Sequence, residues 1–472
     1  ALWHDVTRTK IVDSIKRELV KPLEASALVD GKAQRGGPLL NINAPHDNRA
    51  NVGLVHEADE KAIVQAMALA SKHQRDWDLI GGEARAVILE KAAALYEEKS
   101  SRLMALLVQE AGKTLDNALS DLREAVDFLR YYAREAERRE FAGKAGVPLG
   151  VVACISPWNF PLAIFLGQAS AALAAGNAVI AKPAEQTPLI AAEAVELLHE
   201  AGVPKDALIL LPGDGPSVGA PLVKHPIVNG VVFTGSTEVA QSINRALAEA
   251  GKTEARFIAE TGGVNAMIVD STALLEQAVT DAVAGAFQSA GQRCSACRLI
   301  CVQEDVADRF CEMLAGAMAE LSVGDPSLLE TDVGPVIDED ARQSIEAHIA
   351  DMGRKARLVA RTSFADRAAA SFVAPIAFEV GRIADLRREV FGPVLHVVRF
   401  QGERLLEIVD EINALGYGLT LGLHTRIDET MHAVARRARV GNIYINRNQI
   451  GAVVGVQPFG GEGLSGTGPK AG

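Results

Sequence analysis

From about residue 147 onward, short apolar runs rich in β-branched residues alternate with segments of helical periodicity. The runs lie at residues 151–155, 178–180, 208–210, 230–233 and 257–258, and the helical segments lie at 161–175, 187–201 and 237–250. This alternation predicts parallel strands joined by crossover helices, and therefore an open α/β sheet with helices on both faces. Because such sheets bind ligands beyond the carboxyl ends of their strands, this part of the chain is predicted to bind a cofactor.

A second series of the same kind predicts a second α/β domain. Its strands are expected near 266–269, 299–303, 394–399, 419–423 and 442–445, with helices such as 274–290 and 305–321. Before residue 147, apolar positions at helical spacing predict helices over 58–78 and 83–140. The first 55 residues are rich in Gly, Pro and Asn after an amphipathic stretch near 11–20, and are expected to form an irregular arm over the core.

Charge and hydropathy exclude several classes of partner. The chain has 48 Lys plus Arg against 60 Asp plus Glu, a net charge of −12 that disfavours nucleic acid and anionic membranes. Residues 145–181 carry no charged side chain, but prolines and glycines divide the stretch into pieces shorter than the roughly 20 apolar residues of a membrane span. We therefore interpret the stretch as buried strand, loop and helix, and expect no membrane span.

The N-terminal sequence and the cysteines indicate the cellular location of the protein. The chain begins at Ala1 without a basic region followed by an apolar stretch, so no signal peptide is expected, and the chain is either trimmed of its methionine or part of a longer one. Five cysteines in 472 residues are too few and too bunched for a disulfide framework. A reducing, cytoplasmic location is predicted.

Cys294 is the candidate nucleophile. It lies near Arg293 and Arg298 where a helix meets a strand, an electropositive setting that favours the thiolate. The spacing from Cys294 to Cys297 also permits a redox disulfide, and Cys301 adds a third potential metal ligand. Without a second CxxC or a nearby His these alternatives are weaker, and no metal site is expected. Three cysteines fall in apolar strand or helix patterns and are predicted to be buried structural thiols: Cys154, Cys301 and Cys311.

Two further elements carry polar groups at points where strands end. Glu260 follows an apolar strand and precedes Gly262 and Gly263, which would let a substrate or another backbone approach closely. Asn159 is held between prolines after the first strand of the α/β series, where its amide could donate to a developing oxyanion. Taken singly, each fits an ordinary turn or capping residue as well.

Two strand ends suit a dinucleotide. Lys182 and Glu185 follow the strand that ends near residue 181, and a cation with a carboxylate there could hold a ribose. Gly235 and Ser236 open a helix, whose free N–H groups suit a pyrophosphate. Neither site contains a GxGxxG motif.

The joint occurrence of these elements in this order resembles the NAD(P)-dependent aldehyde dehydrogenase superfamily over almost the whole chain. The matching positions are Asn159, Lys182, Gly235-Ser236, Glu260-Thr261-Gly262-Gly263, Gly291-Gln292-Arg293-Cys294, Glu389-Val390-Phe391-Gly392-Pro393 and Pro458-Phe459-Gly460-Gly461. The resemblance implies a Rossmann-type NAD-binding domain, an α/β catalytic domain and a small oligomerisation flap. By that likeness the NAD-binding domain covers 1–129 and 150–259, the flap 130–149, the catalytic domain 260–445, and a substrate-anchor loop with the C-terminal segment 446–472.

The same resemblance implies the roles of individual residues. In the family the cysteine is the nucleophile, the glutamate of E-x-G-G the general base and the asparagine of P-W-N-F an oxyanion donor, roles that fall on Cys294, Glu260 and Asn159. Such a set can oxidise an aldehyde through a thiohemiacetal and a thioester. The implied NAD-binding residues are Ile155, Trp158, Lys182, Glu185, Gly215, Gly235 and Ser236, with Glu389 on the nicotinamide ribose and Phe391 nearby.

Residues 446–461 resemble the pyrroline-5-carboxylate dehydrogenases, also called L-glutamate-γ-semialdehyde dehydrogenases, and most closely the dehydrogenase module of bacterial bifunctional proline utilisation proteins. By that resemblance Ser295 and the backbone of Gly451 and Ala452 hold the α-carboxylate of the substrate, and Phe160 and Phe459 enclose its aliphatic chain. A hydroxyl with consecutive N–H groups in a glycine turn suits a small anion. The resemblance also implies a proline dehydrogenase module in a parent chain, of which this chain would be an excised part, and allows a homo-oligomer.

Two other interpretations stay open at this point. The chain could be an aldehyde dehydrogenase for another semialdehyde, or one that passes the thioester to coenzyme A, although a base such as Glu260 beside the thioester favours hydrolysis. It could also be a scaffold that has kept the fold without activity. The joint presence of Cys294, Glu260 and Asn159 argues against a scaffold.

Overall fold

The computed structural model describes residues 5–18, 22–141, 143, 146–364 and 370–468. Three residues of the predicted flap (142, 144 and 145), the end of the predicted amphipathic stretch (19–20) and the last four residues of the C-terminal segment (469–472) lie outside the described residues. None of the helices in the described part of the chain combines the length and the apolar composition that crossing a bilayer requires.

The chain forms helices and strands in the following order. The α-helices are α1 Asp5–Glu18, α2 Glu60–Leu79, α3 Gly82–Glu98, α4 Ser100–Ala111, α5 Leu115–Phe141, α6 Ala163–Ala174, α7 Pro188–Ala201, α8 Ala220–Lys224, α9 Thr237–Glu249, α10 Leu275–Phe287, α11 Glu304–Ala319, α12 Glu339–Lys355, α13 Leu405–Ala414 and α14 Asp428–Arg437. The strands are β1 Leu23–Val29, β2 Lys32–Gln34, β3 Leu39–Ala44, β4 Asp47–His56, β5 Val151–Ile155, β6 Ala178–Lys182, β7 Leu208–Leu210, β8 Val228–Gly235, β9 Arg256–Thr261, β10 Asn265–Val269, β11 Cys297–Gln303, β12 Arg357–Arg361, β13 Ile376–Glu379, β14 Val394–Phe400, β15 Tyr417–Gly418, β16 Thr420–His424, β17 Asn442–Ile445 and β18 Glu462–Gly463. Short 3-10 or π turns lie at Gly215–Gly219, Gln288–Gly291, Ile383–Asp385 and Gly402–Arg404.

Two compact units make up the chain. The first comprises the residues up to Ala259 together with Val454–Val456, and the second comprises Glu260–Val453 and resumes at Gln457. The described residues of the predicted flap up to Phe141 continue helix α5, and the oligomerisation role stays a prediction.

The first unit is built on one sheet with the strand order β3-β4-β1-β7-β6-β5-β8-β9, and β2 pairs with β1. Strands β5, β6, β7 and β8 are parallel, and β5 lies between β6 and β8. The side chains of β5, β6 and β7 are almost completely buried, which explains why the sequence shows continuous apolar runs here. The predicted parallel sheet is therefore confirmed, and the carboxyl ends of β5, β6 and β8 share one edge.

The predicted irregular arm is wrong for residues 23–56. This segment contributes β1 to β4, of which β1 pairs in antiparallel fashion with β7 through Leu28 and Leu210. Strand β3 alternates polar and apolar residues and its side chains are largely exposed, so its apolar pattern is too weak to indicate a strand. The amphipathic stretch falls within helix α1, as predicted for its described residues.

The second unit is built on a sheet with the strand order β12-β13-β14-β11-β10-β16-β17. All neighbours in this sheet are parallel except the edge pair β12 and β13. The second α/β domain predicted from the sequence is therefore confirmed, although the edge pair and helix α12 were not foreseen. The loops that lead into β10, β11 and β14 meet at the amino edge of this sheet, because the three strands are neighbours and parallel.

Candidate active site

The candidate nucleophile lies at the amino edge of the second sheet. Cys294 precedes β11, Glu260 to Gly263 lead into β10, and Glu389 to Gly392 lead into β14. The topology thus brings three of the predicted motifs to one edge within a single unit. This is the edge opposite to the carboxyl ends at which parallel sheets usually bind ligands.

A left-handed turn delivers the chain to Cys294. Ser289 and Ala290 have φ angles of 54° and 53°, and Gly291 follows with a φ of 68°. Left-handed backbone costs a non-glycine residue of order 1 kcal/mol or more. At Gly291 the space is also closed, since a Cβ atom would lie 2.2 Å from the carbonyl oxygen of Gly392. Only glycine fits at Gly291, which accounts for the first residue of the G-Q-R-C motif.

Asn265 fixes the turn that carries Cys294. Its Nδ2 donates to the carbonyl oxygen of Cys294 at 2.7 Å and to that of Ala296 at 3.0 Å, while its Oδ1 accepts from the backbone N–H of Thr420 at 3.1 Å. The side chain is 3% exposed. With both carbonyl groups bound from the β10 side, the position of the Cys294 backbone is defined by the sheet.

Glu260 is positioned by a short antiparallel pairing with residues near the C-terminus. Glu260 and Gly466 form a β-bridge, and the N–H of Thr261 donates to the carbonyl oxygen of Ser465 at 3.0 Å. The Thr261 hydroxyl donates to the carbonyl oxygen of Leu464 at 2.6 Å. The Glu260 side chain is half-buried, a setting suited to a base that must meet water.

The two glycines after Glu260 make room for other groups of the protein. A Cβ atom on Gly262 would lie 1.7 Å from Oε2 of Glu389, and one on Gly263 would lie 3.2 Å from the hydroxyl of Ser465. The close approach expected at this motif is therefore made by a carboxylate, with Gly262 beneath Glu389.

The electropositive setting predicted for Cys294 is weaker than expected. The guanidinium of Arg298 forms an ion pair with Glu389 at 2.9 Å and is 2% exposed at its side chain. Its charge is therefore largely compensated, and less of it is available to stabilise a thiolate.

The other cysteines lie in the apolar interior, as predicted for three of them. Cys154, Cys297 and Cys301 are at most 1% exposed, and Cys311 is 7% exposed, whereas Cys294 is half-buried. Burial raises the pKa of Cys154 and of Cys297 to about 12. The thiol of Cys297 contacts the carbonyl oxygen of Leu299 at 3.4 Å. A buried thiol with so high a pKa is a poor nucleophile and a poor metal ligand.

Ser295 and the predicted substrate-anchor loop are in direct contact. The backbone N–H of Gly451 donates to the Ser295 hydroxyl oxygen at 3.1 Å, and Gly451 has a φ of 70°. Tyr444 donates from its hydroxyl to the carbonyl oxygen of Gly451 at 2.8 Å. Ala452 and Phe459 lie in the same loop and are half-buried. The loop thus presents a main-chain N–H group beside the hydroxyl of Ser295, the residue that follows the candidate nucleophile Cys294.

In the first unit, Asn159 and Phe160 lie in a turn that a buried ion pair holds. Asp121 accepts from the N–H of Ala163 at 2.7 Å and pairs with Lys113 at 3.2 Å, and both side chains are at most 4% exposed. The Lys113 ammonium also lies 4.3 Å from the centre of the Phe160 ring. Asn159 itself is 9% exposed.

The edge of the first sheet carries the predicted cofactor residues. Ile155 ends β5 and Trp158 follows it, Lys182 ends β6, and Gly235 ends β8. The Lys182 ammonium contacts Glu185 at 3.1 Å, and the Ser236 hydroxyl caps α9 by accepting from the N–H of Val239 at 3.2 Å. A cation with a carboxylate fits ribose hydroxyls, and a capped helix start fits a pyrophosphate, so this donor set fits NAD.

Additional carboxylates surround Lys182. Asp214 caps the π turn that begins at Gly215 by accepting from the N–H of Ser217 at 2.6 Å. Burial raises the pKa of Glu57, and the charges of Asp214 and Glu185 raise it further. Three carboxylates thus share the neighbourhood of one ammonium, an arrangement that suits a ribose and opposes a 2′-phosphate.

Sequence reasoning missed the positioning roles of five residues. They are Lys113, Asp121, Asn265, Arg298 and Tyr444. Arg298 carried a usable signal, because a charged residue inside the apolar strand β11 requires a buried partner. Asn265 and Tyr444 carried none, since their partners are fixed only when the sheet assembles.

Known proteins resemble this chain over most of its length. The chain matches the aldehyde dehydrogenase family over residues 33–472. Bifunctional protein PutA of Escherichia coli (strain K12) is 54% identical over 444 residues, which cover 92% of this chain and 33% of PutA. The chain thus spans about a third of the length of the curated PutA relatives that it matches.

Two shorter relatives are matched over most of their length. The 1-pyrroline-5-carboxylate dehydrogenase of Geobacillus kaustophilus is 38% identical over 451 residues, which cover 92% of this chain and 87% of that protein. The crystal structure of the 1-pyrroline-5-carboxylate dehydrogenase from Thermus with bound NAD superposes with a TM-score of 0.93 at 34% identity, covering 98% of this chain and 93% of that one. The chain belongs to the aldehyde dehydrogenase family.

Proposed function

We propose that this chain catalyses the NAD-dependent oxidation of L-glutamate-γ-semialdehyde, the open form of pyrroline-5-carboxylate, to L-glutamate in proline catabolism. The observation that carries the choice of substrate is the contact between Gly451 and Ser295, the residue that follows Cys294 in the chain. A carboxylate that enters there can accept hydrogen bonds from the Ser295 hydroxyl and the Gly451 N–H in place of their mutual bond. Similarity to the two 1-pyrroline-5-carboxylate dehydrogenases that are matched over most of their length supports this substrate.

The reaction follows from the roles that the family resemblance gives to Cys294, Glu260 and Asn159. Its thiolate adds to the aldehyde carbon, and Asn159 and the Cys294 N–H donate to the alkoxide that forms. Bound NAD would supply the hydride acceptor, and loss of the hydride from this carbon would leave a thioester on Cys294. Glu260 then takes a proton from water, and the hydroxide attacks the thioester and releases L-glutamate and the thiolate. Lys182, Glu185 and the start of helix α9 would hold the dinucleotide, with Glu389 and Phe391 at its nicotinamide end.

The parent chain, the cellular location and the assembly of the protein belong to the same proposal. Similarity to PutA over about a third of its length supports a parent chain that also carries a proline dehydrogenase module, which would supply the substrate. The usage of cysteine in the chain supports a cytoplasmic location. Assembly into a homo-oligomer through residues 130–149 stays a prediction.

An NADH-forming assay with pyrroline-5-carboxylate beside pentanal tests the proposal. A lost anion contact costs about 2 kcal/mol, so we expect kcat/KM for the semialdehyde to exceed that for pentanal by about thirtyfold or more. Ser295→Ala should reduce this ratio, whereas Ser322→Ala, a serine of the same unit outside the anchor, should leave it unchanged.

Two results would contradict parts of the proposal. Equal efficiency for the two aldehydes would reject the substrate and leave the family assignment intact. A preference for a different semialdehyde in the same assay would favour the alternative enzyme.

A further inference from the structure

Arg298 is a buried charge near the start of an apolar strand. It is the second residue of β11, all of whose residues but the last are buried, and it is 2% exposed. A buried guanidinium is tolerated only when it is paired and its donors are bound. The bonds that it makes therefore indicate what the residue is for.

The guanidinium joins two loops at the amino edge of the second sheet. Nη1 donates to the carbonyl oxygens of Gly291 at 2.5 Å and Gly392 at 3.1 Å, and Nη2 donates to that of Arg293 at 3.1 Å. Nη2 and Nε also donate to Oε1 of Glu389, at 2.9 and 3.3 Å. One side chain thus binds the turn before Cys294 and the loop that carries Glu389.

Glu389 is confined from both sides. Both guanidinium bonds fall on its Oε1, while its Oε2 lies over Gly262, where a Cβ atom would be only 1.7 Å away. The ring of Phe391 lies 5.2 Å from Cζ of Arg298. The carboxylate therefore has one orientation, with Oε1 directed to Arg298.

The backbone of Arg298 is itself fixed. Nδ1 of His396 contacts the Arg298 carbonyl oxygen at 3.0 Å, and Nε2 of His396 contacts Nε2 of His348 at 3.0 Å. Because a carbonyl oxygen only accepts, Nδ1 of His396 carries the proton and its Nε2 accepts from His348. This chain of bonds extends the support of Arg298 into β14 and α12.

We propose that Arg298 is the positioning residue that holds Glu389 ready for the nicotinamide ribose and keeps it in register with Cys294. This inference rests on the proposed function, since it assigns Glu389 to NAD. Lysine cannot replace Arg298, because an ammonium lacks the planar fork that reaches four carbonyl or carboxylate groups at once. The hydride acceptor and the nucleophile would then be placed by the same side chain.

Calorimetric titration with NAD tests the proposal without any turnover. Loss of a charge-assisted hydrogen bond should weaken NAD binding about tenfold in Arg298→Gln, in Arg298→Lys and in Glu389→Gln. If Arg298 acts through Glu389, the double variant R298Q/E389Q should bind NAD as Glu389→Gln does. Each variant is first checked for wild-type circular dichroism.

A second readout separates the two loops. Alkylation of Cys294 by iodoacetamide without NAD should be unchanged in Glu389→Gln, because that variant leaves the turn before Cys294 in place. In Arg298→Gln the rate should change at least threefold, because the carbonyl oxygens of Gly291 and Arg293 lose their donor. A purely structural role of Arg298 would not couple to Glu389 in the NAD titration.

Gly262→Ala provides an independent variant should Arg298→Gln fail to fold. Its Cβ displaces Glu389 without removing any donor of Arg298, so NAD binding should weaken about tenfold while the alkylation rate stays at the wild-type value. Unchanged NAD affinity in Gly262→Ala and Arg298→Lys, or additive losses in R298Q/E389Q, would overturn the proposal. Wild-type protein that binds NAD yet does not oxidise pyrroline-5-carboxylate would refute the proposed function alone.

Discussion

The hydroxyl of Tyr444 donates a 2.8 Å hydrogen bond to the carbonyl oxygen of Gly451, the glycine whose N–H group contacts Ser295. Tyr444 stands near the end of β17 and is 6% exposed, so the sheet holds the carbonyl oxygen of the Gly451–Ala452 peptide, whose N–H group belongs to the second residue of the proposed carboxylate site. Burial raises the pKa of the Tyr444 phenol, which keeps it a donor over the ordinary pH range.

Tyr444→Phe should therefore weaken the anchor selectively. Without the hydroxyl the Gly451–Ala452 peptide loses this hydrogen bond and its fixed orientation, and we expect KM for glutamate semialdehyde to rise about tenfold, the effect of roughly 1.4 kcal/mol. Steady-state kinetics with pentanal should be unchanged, since pentanal has no α-carboxylate.

Tyr96→Phe is the matched control for Tyr444→Phe. Tyr96 is fully buried and donates to the carbonyl oxygen of Ala194 at 2.5 Å in the first unit. Loss of the Tyr96 hydroxyl should lower the free energy of unfolding about as much as loss of the Tyr444 hydroxyl does. It should leave the ratio of KM for the two aldehydes unaltered. A shift of that ratio in both variants would mean that it reports stability and not the anchor.

The buried pair of Lys113 and Asp121 should be essential for the turn that bears Asn159 and Phe160. Lys113→Met leaves the Asp121 charge buried without its ammonium, and should destabilise the protein by about 3 kcal/mol or more. The urea unfolding midpoint measures this loss. Because the turn loosens, kcat should fall as well.

Removing both charges tests whether the pair acts as a unit. In K113M/D121N no carboxylate charge remains, while the amide oxygen that replaces the carboxylate can still accept from the N–H of Ala163, so part of the lost stability should return. A double variant less stable than Lys113→Met would show that the two side chains contribute independently.

Thiol labelling should single out Cys294. Burial raises the pKa of the Cys297 thiol to about 12 and raises that of Cys301 and Cys311 as well, so these groups stay protonated and enclosed near neutral pH. Peptide mapping after brief iodoacetamide treatment should find one modified residue. Cys294→Ala should abolish both iodoacetamide labelling and oxidation of the aldehyde. Its affinity for NAD should stay within about threefold of the wild-type value, the scale of a minor contact.

Cys297→Ala serves as the control for Cys294→Ala. It should keep most of the activity and label at the wild-type rate. An inactive Cys297→Ala with an active Cys294→Ala would reverse the assignment of the nucleophile and revive the redox pair.

Stability should fall as the pH is lowered below neutrality, in part because of His396. Burial lowers its pKa from 6.5 to about 4, against the opposing bond to the Arg298 carbonyl. The unfolded chain takes up this proton near pH 6.5 and the folded chain only near pH 4, so the contribution is complete above about 6.5 and is lost as the pH falls toward 4. The slope from one such group is at most about 1.4 kcal/mol per pH unit.

His396→Asn should reduce this dependence without removing it. Asparagine keeps a donor for the Arg298 carbonyl but does not titrate, and His424, whose pKa burial also lowers to about 4, remains. Urea unfolding at about pH 7.5 and about pH 5, on either side of the ordinary histidine pKa, measures the change. His432→Asn, at a position outside the core, is the control, and an equal slope in wild type and His396→Asn would contradict the assignment.

Local pattern was sufficient where an element is apolar and continuous. Strands β5, β6, β10 and β11 were predicted within two residues, because buried parallel strands are marked by unbroken apolar runs. The helical block 83–140 is in fact three helices, and Gly112, with a φ of 64°, ends α4. That glycine is a capping signal that the periodicity alone concealed.

The candidate site likewise contains residues that the sequence indicates and residues whose contacts form only in the folded sheet. The neighbours of Cys294 in the sequence indicate a nucleophile, whereas the roles of Glu260 and Ser295 follow from the family resemblance of their motifs. Arg298 and Asn265 act on them from adjacent strands, through pairings that arise only in the folded sheet. Gly262 shows the limit most plainly, since the sequence indicates a close approach there but not that Glu389 makes it.

The carboxylates around Lys182 should make the protein prefer NAD to NADP. Glu185 contacts the Lys182 ammonium at 3.1 Å, and Glu57 and Asp214 lie close enough for their charges to interact with it. One positive charge against three negative ones repels the added 2′-phosphate, so kcat/KM should favour NAD, and the double variant E57Q/E185Q should reduce the preference about tenfold or more. Both substitutions keep the size of the side chain. Because the repulsion is electrostatic, added salt should raise the relative efficiency with NADP in the wild type and much less in E57Q/E185Q. A cofactor ratio that responds to neither salt nor these substitutions would mean that shape, and not charge, selects the dinucleotide at Lys182.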